Sequence, residues 1–430
     1  MNKKLRLLTA SFTYVMLFAN SGSYGAPVVT SNPTLQISQV STPGLSSPTG
    51  FQFVDDDTFF AIEKGTGNVR YYNNGSSSIA LTLPVDSSSE RGLLGIALDP
   101  NFATNNSVYL YYSQANSSGA WAENKVSRFT FNGTNLTSET PLLSFASDPF
   151  QVNGPNHNGG PLRFGPDGTL YGVIGDLNRN GQEQNNTSAS ASANAGGIFR
   201  INTDGSIPSD NPFASGPAGF QQWFAYGVRN SFGLAFDPVT GNFWDTENGP
   251  EVFDEINLVT AGFNSGWKTL MGPSSLNPGG LANLVQVPGS TYSDPEFSVQ
   301  NPIGITALEF LAGSALGAAY DNAVLFGDVN TGNVYILRLN DSRTGFILDG
   351  SLADLVANSQ SELNNLLFGT GFGIVTDIQL GPDGAIYFAS LTNNAIYKVV
   401  PEAGSVLMSS IAVSVIGLWC VSKRRRPISR

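Results

Sequence analysis

The chain has 430 residues, with 33 Asp and Glu against 21 Lys and Arg, a single His and a single Cys, and a formal net charge of −12. Such an acidic surface repels nucleic acid and anionic lipid, so neither DNA nor RNA is expected as a partner, whereas divalent cations suit it. The lone Cys420 leaves the body no internal disulfide, so stability must come from core packing and sheet closure.

Residues 1–26 run from the basic MNKKLR through the apolar LLTASFTYVMLFA to small residues around Ala26, the order of a secretory signal peptide. The expected body is 27–400. Beyond it, Pro401-Glu402 precedes an uncharged apolar stretch, 405–421, and the cluster Lys423-Arg424-Arg425-Arg426. That stretch is about long enough to cross a bilayer once, with its basic end held in the cytoplasm. Residues 401–426 also resemble the PEP-CTERM sorting tail, with Ala403 where the motif has a second Pro. The resemblance implies a sorting protease as partner and delivery to the cell surface or extracellular matrix, with a transient or retained membrane anchor. Removing both ends would strip eight of the basic residues and one acidic residue, Glu402, leaving the body more acidic still.

Between the ends, helical periodicity is scarce and one phrase recurs: a strand of small and apolar residues, a polar turn, and a strand rich in aromatic and β-branched residues. Copies begin at residues 51, 94, 162, 234, 308 and 378. The two sharpest carry Gly-Pro-Asp-Gly at 165–168 and 381–384. There proline presets φ, aspartate bonds its own backbone and glycine accepts positive φ. A four-stranded blade needs about 40–50 residues, so the spacing allows six blades with substantial loops. Radial repetition also protects sheet edges without disulfides. The predicted fold is all-β, a six-bladed β-propeller, closed by pairing a strand near the N-terminus with the last blade.

Unusual polar combinations sit on the predicted loops. His157, the only histidine, lies in Gly154-Pro155-Asn156-His157-Asn158-Gly159-Gly160, immediately before the third copy. An imidazole is the natural proton acceptor near neutral pH, and the flanking glycines permit close approach of a ligand. Arg229 and Asn230 precede the fourth copy; the guanidinium offers a permanent charge and a fixed fork of donors for a quinone oxygen or a carboxylate. Glu247 to Asn257 gathers carboxylates, amides and carbonyls, the hard oxygen donors that Ca2+ prefers. Glu90-Arg91-Gly92 precedes the second copy.

The phrases ERGLLGIALDP, NHNGGPLRFGPDGTLY, GGIFRINTDGSIPSDNPF, YGVRNSFGLAFDP and DEINLVTAGFNSGW resemble, in order, the motifs of the glucose/sorbosone dehydrogenase family, or soluble aldose sugar dehydrogenases. The resemblance covers about residues 40–400. It implies a six-bladed propeller holding pyrroloquinoline quinone (PQQ) and Ca2+, a sugar or sugar-like substrate, and an external electron acceptor. By motif, His157 resembles the base that takes the hydroxyl proton during hydride transfer. Arg229 and Asn230 resemble cofactor contacts, and Arg91 is expected to add charge for the cofactor; Gly249 and Pro250 resemble carbonyl ligands of the cofactor's calcium, and Glu255 a ligand of a second calcium. Asn156 stands where the family often has an Asp beside the base. The positions matching the family's Lys and Arg on blades 5 and 6 read FGDVN (326–330) and FGIVTD (372–377). The alternative is a non-catalytic, calcium-stabilised propeller that binds carbohydrate or protein.

Overall fold

Each of the six recurring phrases begins inside the innermost strand of a separate sheet. The computed structural model describes residues 25–146, 154–179, 195–216 and 218–402. Blade 1 is the sheet Pro48–Asp55, Thr58–Glu63, Asn68–Asn73, Ser76–Thr82, and blade 2 is Leu93–Leu98, Ser107–Ala115, Trp121–Phe131, Leu136–Ala146. The inner strands of blades 3 to 6 are Leu162–Phe164, Ser231–Phe236, Ile305–Phe310 and Val375–Leu380. Neighbouring inner strands touch in ring order, the last meeting the first.

Closure follows the expected route: Leu35–Gln39 pairs antiparallel with Ala395–Pro401 and supplies the outer strand of blade 6. The chain does one thing the pattern did not announce, adding Val28–Val29 to the outer edge of blade 5 against Leu367–Thr370.

A blade lies between two others, so both faces of its central strands are covered. Thr58–Glu63, Leu170–Ile174, Phe243–Glu247, Ala323–Asp328 and Ile386–Ser390 are buried along their whole length. This explains why their sequences show no clean alternation. Six apolar cores result, one at each interface between adjacent blades, for example Phe60 and Ile62 against Ile96 and Val108, or Trp244 and Ile256 against Phe310 and Phe326. Truncating the fully buried Trp244 to Ala would cost about 3–5 kcal/mol.

The Gly-Pro-Asp-Gly turns form as the residues dictate. Gly168 N–H donates to Gly165 O (2.9 Å) and Thr169 N–H to Asp167 Oδ1 (2.9 Å), with Gly168 at φ 75°. The copy at 381–384 repeats the geometry.

The expectation of a membrane-spanning helix and a C-terminal membrane anchor is corrected. No helix among the described residues is long and apolar enough to cross a membrane. The longest of them, Gln360–Asn364, has five residues, against the roughly 20 a bilayer requires. The stretch 405–421 lies outside the described residues, as do residues 1–24 of the signal-like segment and all of the sorting-tail resemblance after Glu402.

The inner strands surround a central cavity lined by Thr49, Leu94, Leu162, Phe232 and Thr306, among others. Arg163 reaches across to Asp377, Nη2 to Oδ1 at 2.8 Å. Burial pushes the neighbouring Glu309 carboxyl up to about 8, partly opposed by the charge of Arg163 and reinforced by Asp377. Because its folded value lies above the unfolded one, the stability it contributes is present below about pH 4.5 and is lost as pH rises through about 8. Glu309→Gln is therefore expected to shrink the gap in melting temperature between pH 5 and pH 8.5, with a gain of about 1–2 °C at the higher pH. A scanning-calorimetry gap equal to wild type would refute this assignment.

Candidate functional site at the blade mouths

In an antiparallel pair, the start of the first strand and the end of the second lie at the same edge of the blade. Glu90, His157 and the Arg229-Asn230 pair stand just before inner strands, whereas Lys64, Asp176 and Asn248 stand just after second strands. All seven therefore gather on one face of the ring.

His157 sits on that face at φ 62°, a left-handed conformation that most side chains avoid, with 9% of its surface exposed. Its backbone N–H donates to Glu90 Oε2 (2.6 Å), and the same oxygen receives Asn230 Nδ2 (3.0 Å). Asn230 Oδ1 in turn accepts from Gly159 N–H (3.4 Å). One buried carboxylate thus ties the loops of blades 2, 3 and 4 together.

The imidazole Nδ1 lies 2.6 Å from Asp176 Oδ1. Asp176 is fully buried, and its second oxygen accepts from Trp267 Nε1 (2.7 Å). Burial alone would raise this carboxyl. The bond and charge of His157, the Trp267 donor and the charge of Arg229 outweigh it and hold Asp176 below the usual range. With Nδ1 committed to a carboxylate, Nε2 is the ring nitrogen available to an incoming proton.

Arg229 is half-buried. Its backbone N–H donates to Glu247 Oε1 (2.7 Å), its Nη1 to Asn248 O (2.8 Å), and its guanidinium lies 5.5 Å from the centre of the Trp267 ring. Asp176 N–H donates to Arg229 O (2.8 Å). Gly175 lies beneath both loops: a Cβ there would come within 2.5 Å of Arg229 O and 2.6 Å of His157 O, so only glycine lets the two approach.

Of the residues singled out from sequence, His157, Arg229 and Asn230 come together. Arg91 points elsewhere, its Nη1 on Asp86 Oδ2 (2.9 Å) and its guanidinium 3.9 Å from the centre of the Trp121 ring. Gly249 is buried, donating its N–H to Asp254 Oδ1 (3.0 Å), while Pro250 is exposed. Glu255 is buried and faces Glu247 across paired strands, accepting from Gly272 N–H (2.5 Å). Asp176 and Trp267 were not singled out from the sequence as site residues. Asp176 closes the phrase LYGVIGD, and the Gly-Asp ending recurs at 327–328. That shared ending was the available signal.

Asp245, Glu247, Glu255 and Asn257 share one face of blade 4. Burial pushes the first three carboxyls upward, and mutual repulsion adds to the rise. Both oxygens of Asp245 and the Oδ1 of Asn248 are buried without a hydrogen-bond donor. Buried oxygens of this kind gain from a proton or a hard cation. Among the described residues, no three His, Cys, Asp or Glu side chains converge as a metal site. A cation beside Asn248 would therefore draw on amide and backbone oxygens as well.

The family model for glucose/sorbosone dehydrogenase matches residues 45–398. The chain belongs to this family. It is 32% identical over 276 residues to the uncharacterized protein slr1608 of Synechocystis, covering 58% of this chain and 66% of that protein. It is 30% identical over 300 residues to quinoprotein glucose dehydrogenase B of Acinetobacter calcoaceticus, covering 63% and 62%. These matches span just under two thirds of each relative. The PQQ-bound aldose sugar dehydrogenase of Streptomyces coelicolor superposes with a TM-score of 0.62 at 22% identity, covering 87% of this chain and 99% of that one, a likeness of fold.

Two substitutions test the arrangement. Asp176→Asn should abolish the preference for the Nδ1–H tautomer, which 15N NMR of the single histidine reads without overlap; an unchanged spectrum would sink the pairing. Gly175→Ala should destabilise the fold by about 2–4 kcal/mol in chemical denaturation, because two backbone carbonyls must move.

Proposed function

We propose that this family member oxidises an aldose sugar or related alcohol, with PQQ as the oxidant and Ca2+ beside it. The observation that carries this reading is the His157–Asp176 pair at 2.6 Å with Arg229 braced alongside. The chemistry of the donor set fits the cofactor. A guanidinium and an amide suit an anionic quinone, and the donorless Oδ1 of Asn248, with the carbonyls of Gly249 and Pro250, suits a hard cation. Arg229 and Asn230 would hold the quinone. When bound, PQQ supplies an acceptor for the hydride leaving the substrate carbon.

The chain's own residues then have distinct tasks. Nε2 of His157 takes the hydroxyl proton, and the Asp176 carboxylate stabilises the imidazolium so formed. Trp267 fixes the second oxygen of Asp176, preventing the carboxylate from turning away. Glu90 clamps the histidine loop against Asn230, keeping acceptor and ligand contacts in register. Arg229 offers its charge where negative charge develops on oxygen. Electrons leave through an external acceptor.

The test is to titrate the folded, calcium-loaded protein with PQQ, follow the cofactor spectrum, and measure dye reduction over an aldose panel. His157→Gln should bind PQQ within about twofold of wild type and lose about 10²–10⁴ in turnover. Failure of the folded wild-type protein to bind PQQ would overturn the reading. Unchanged turnover in His157→Gln would reject the assigned base.

A further inference from the structure

The left-handed backbone of His157, φ 62°, has to be held by its surroundings, because an L-residue with a bulky side chain prefers negative φ. The ring follows the backbone, so the 2.6 Å contact of Nδ1 with Asp176 depends on that conformation. On one flank the loop is tied within blade 3: Asn156 N–H donates to Asn178 Oδ1 (2.7 Å) and Leu177 N–H to His157 O (3.3 Å). On the other flank the ties come from blade 2, and they converge on Asn158.

Asn158 is fully buried beside the histidine. Tyr111 Oη donates to Asn158 O (2.7 Å), and Asn124 Nδ2 donates to Asn158 Oδ1 (3.0 Å). Asn158 Nδ2 donates in turn to Pro155 O (2.7 Å), fastening the loop to itself. Tyr111 and Asn124 stand on the second and third strands of blade 2, Ser107–Ala115 and Trp121–Phe131, where Ser113 pairs with Asn124. Residues two apart on a strand share a face, so both side chains lie on the side packed against blade 3.

The amides in this chain have one workable direction. The indole N–H of Trp121 can only donate, and it meets Asn124 Oδ1 (3.2 Å). The Asn124 nitrogen is thereby turned toward Asn158 Oδ1. The Asn158 nitrogen is left for the Pro155 carbonyl, which can only accept. The arrangement that satisfies every group is the one that grips Asn158 by backbone and side chain together.

We propose that Asn124 and Tyr111 are positioning residues for His157: by gripping Asn158 they hold the histidine left-handed and keep its Nδ1 on Asp176. The effect on turnover rests on the sugar-oxidising reading, whereas the effect on the ring does not. Both side chains are sealed from solvent, so they act on a ligand only through the loop. A buried amide left without its partners is costly, which keeps Asn158 in place while blade 2 supplies donors. Without those donors Asn158 shifts, His157 relaxes toward negative φ, and the ring swings off the carboxylate.

The test uses the full chain in four forms: wild type, Asn124→Leu, Tyr111→Phe and, as a packing control in the same core, Phe145→Leu. 15N NMR of the single histidine without cofactor reads the tautomer, chemical denaturation reads stability, and dye reduction after PQQ loading separates kcat from KM. In Asn124→Leu the Nδ1–H form should give way to a mixture of tautomers, and kcat should fall about ten- to a hundredfold with KM and PQQ affinity within about twofold. Tyr111→Phe, which loses one oxygen, should move both the same way, with kcat down about threefold. Phe145→Leu should lower stability and leave tautomer and kcat as in wild type. A wild-type tautomer in both blade 2 variants, an equal change in Phe145→Leu, or full turnover alongside a displaced ring would overturn the inference. If the folded wild type binds no PQQ, the sugar-oxidising reading falls and the tautomer alone decides the positioning role. Should Asn124→Leu not fold, Tyr111→Phe decides it.

Discussion

Face-to-face packing of each blade on its two neighbours is the constraint on which everything else depends. A single twisted sheet of four or five strands has two faces to bury and cannot bury either alone. Six of them in a ring solve the problem jointly, and the six interface cores are the result. Without internal disulfides, ring closure through Leu35–Gln39 joins the first-entered segment to the last blade and removes the gap where the ring would open. The rigidity so gained is local to the strands, and at the mouths the side chain of Glu90 ties loops of blades 2, 3 and 4 to one another.

The interface between blades 3 and 4 departs from this apolar rule. Leu234, Phe243 and Val259 pack against blade 3 in the ordinary way. Toward the mouth, the same face of blade 4 changes to Asp245, Glu247, Glu255 and Asn257. Strand Phe243–Glu247 thus carries hydrophobic support at one end and densely buried carboxylates at the other. Stability is given up locally to hold polar groups in fixed positions, and the apolar half of the same strand is what makes that tolerable.

Much of the fold was legible because it is written in repeated local signals. The six strand phrases begin within the six inner strands, and the Gly-Pro-Asp-Gly turns close as their residues require. His157, Arg229 and Asn230 were legible because they stand in loops next to those phrases. Asp176 and Trp267 were harder to see, since their part depends on a 91-residue separation being closed in space. Asn156 drew attention as the missing orienting aspartate, yet the carboxylate on Nδ1 comes from beyond the second strand of the same blade. Arg91 was expected to contact the cofactor; its partners Asp86 and Trp121 lie on neighbouring segments whose direction no local pattern reveals. The apolar stretch near the C-terminus read as a membrane span from length and hydropathy alone, and the described chain holds no such helix.

The left-handed backbone at His157 constrains how this site can change over time. Asparagine and glycine tolerate that conformation best, whereas β-branched residues resist it. A lineage with no use for an imidazole here would therefore drift most cheaply to Asn or Gly at position 157. The scaffold would survive intact, so the shape of the fold alone would not reveal whether the imidazole had been kept.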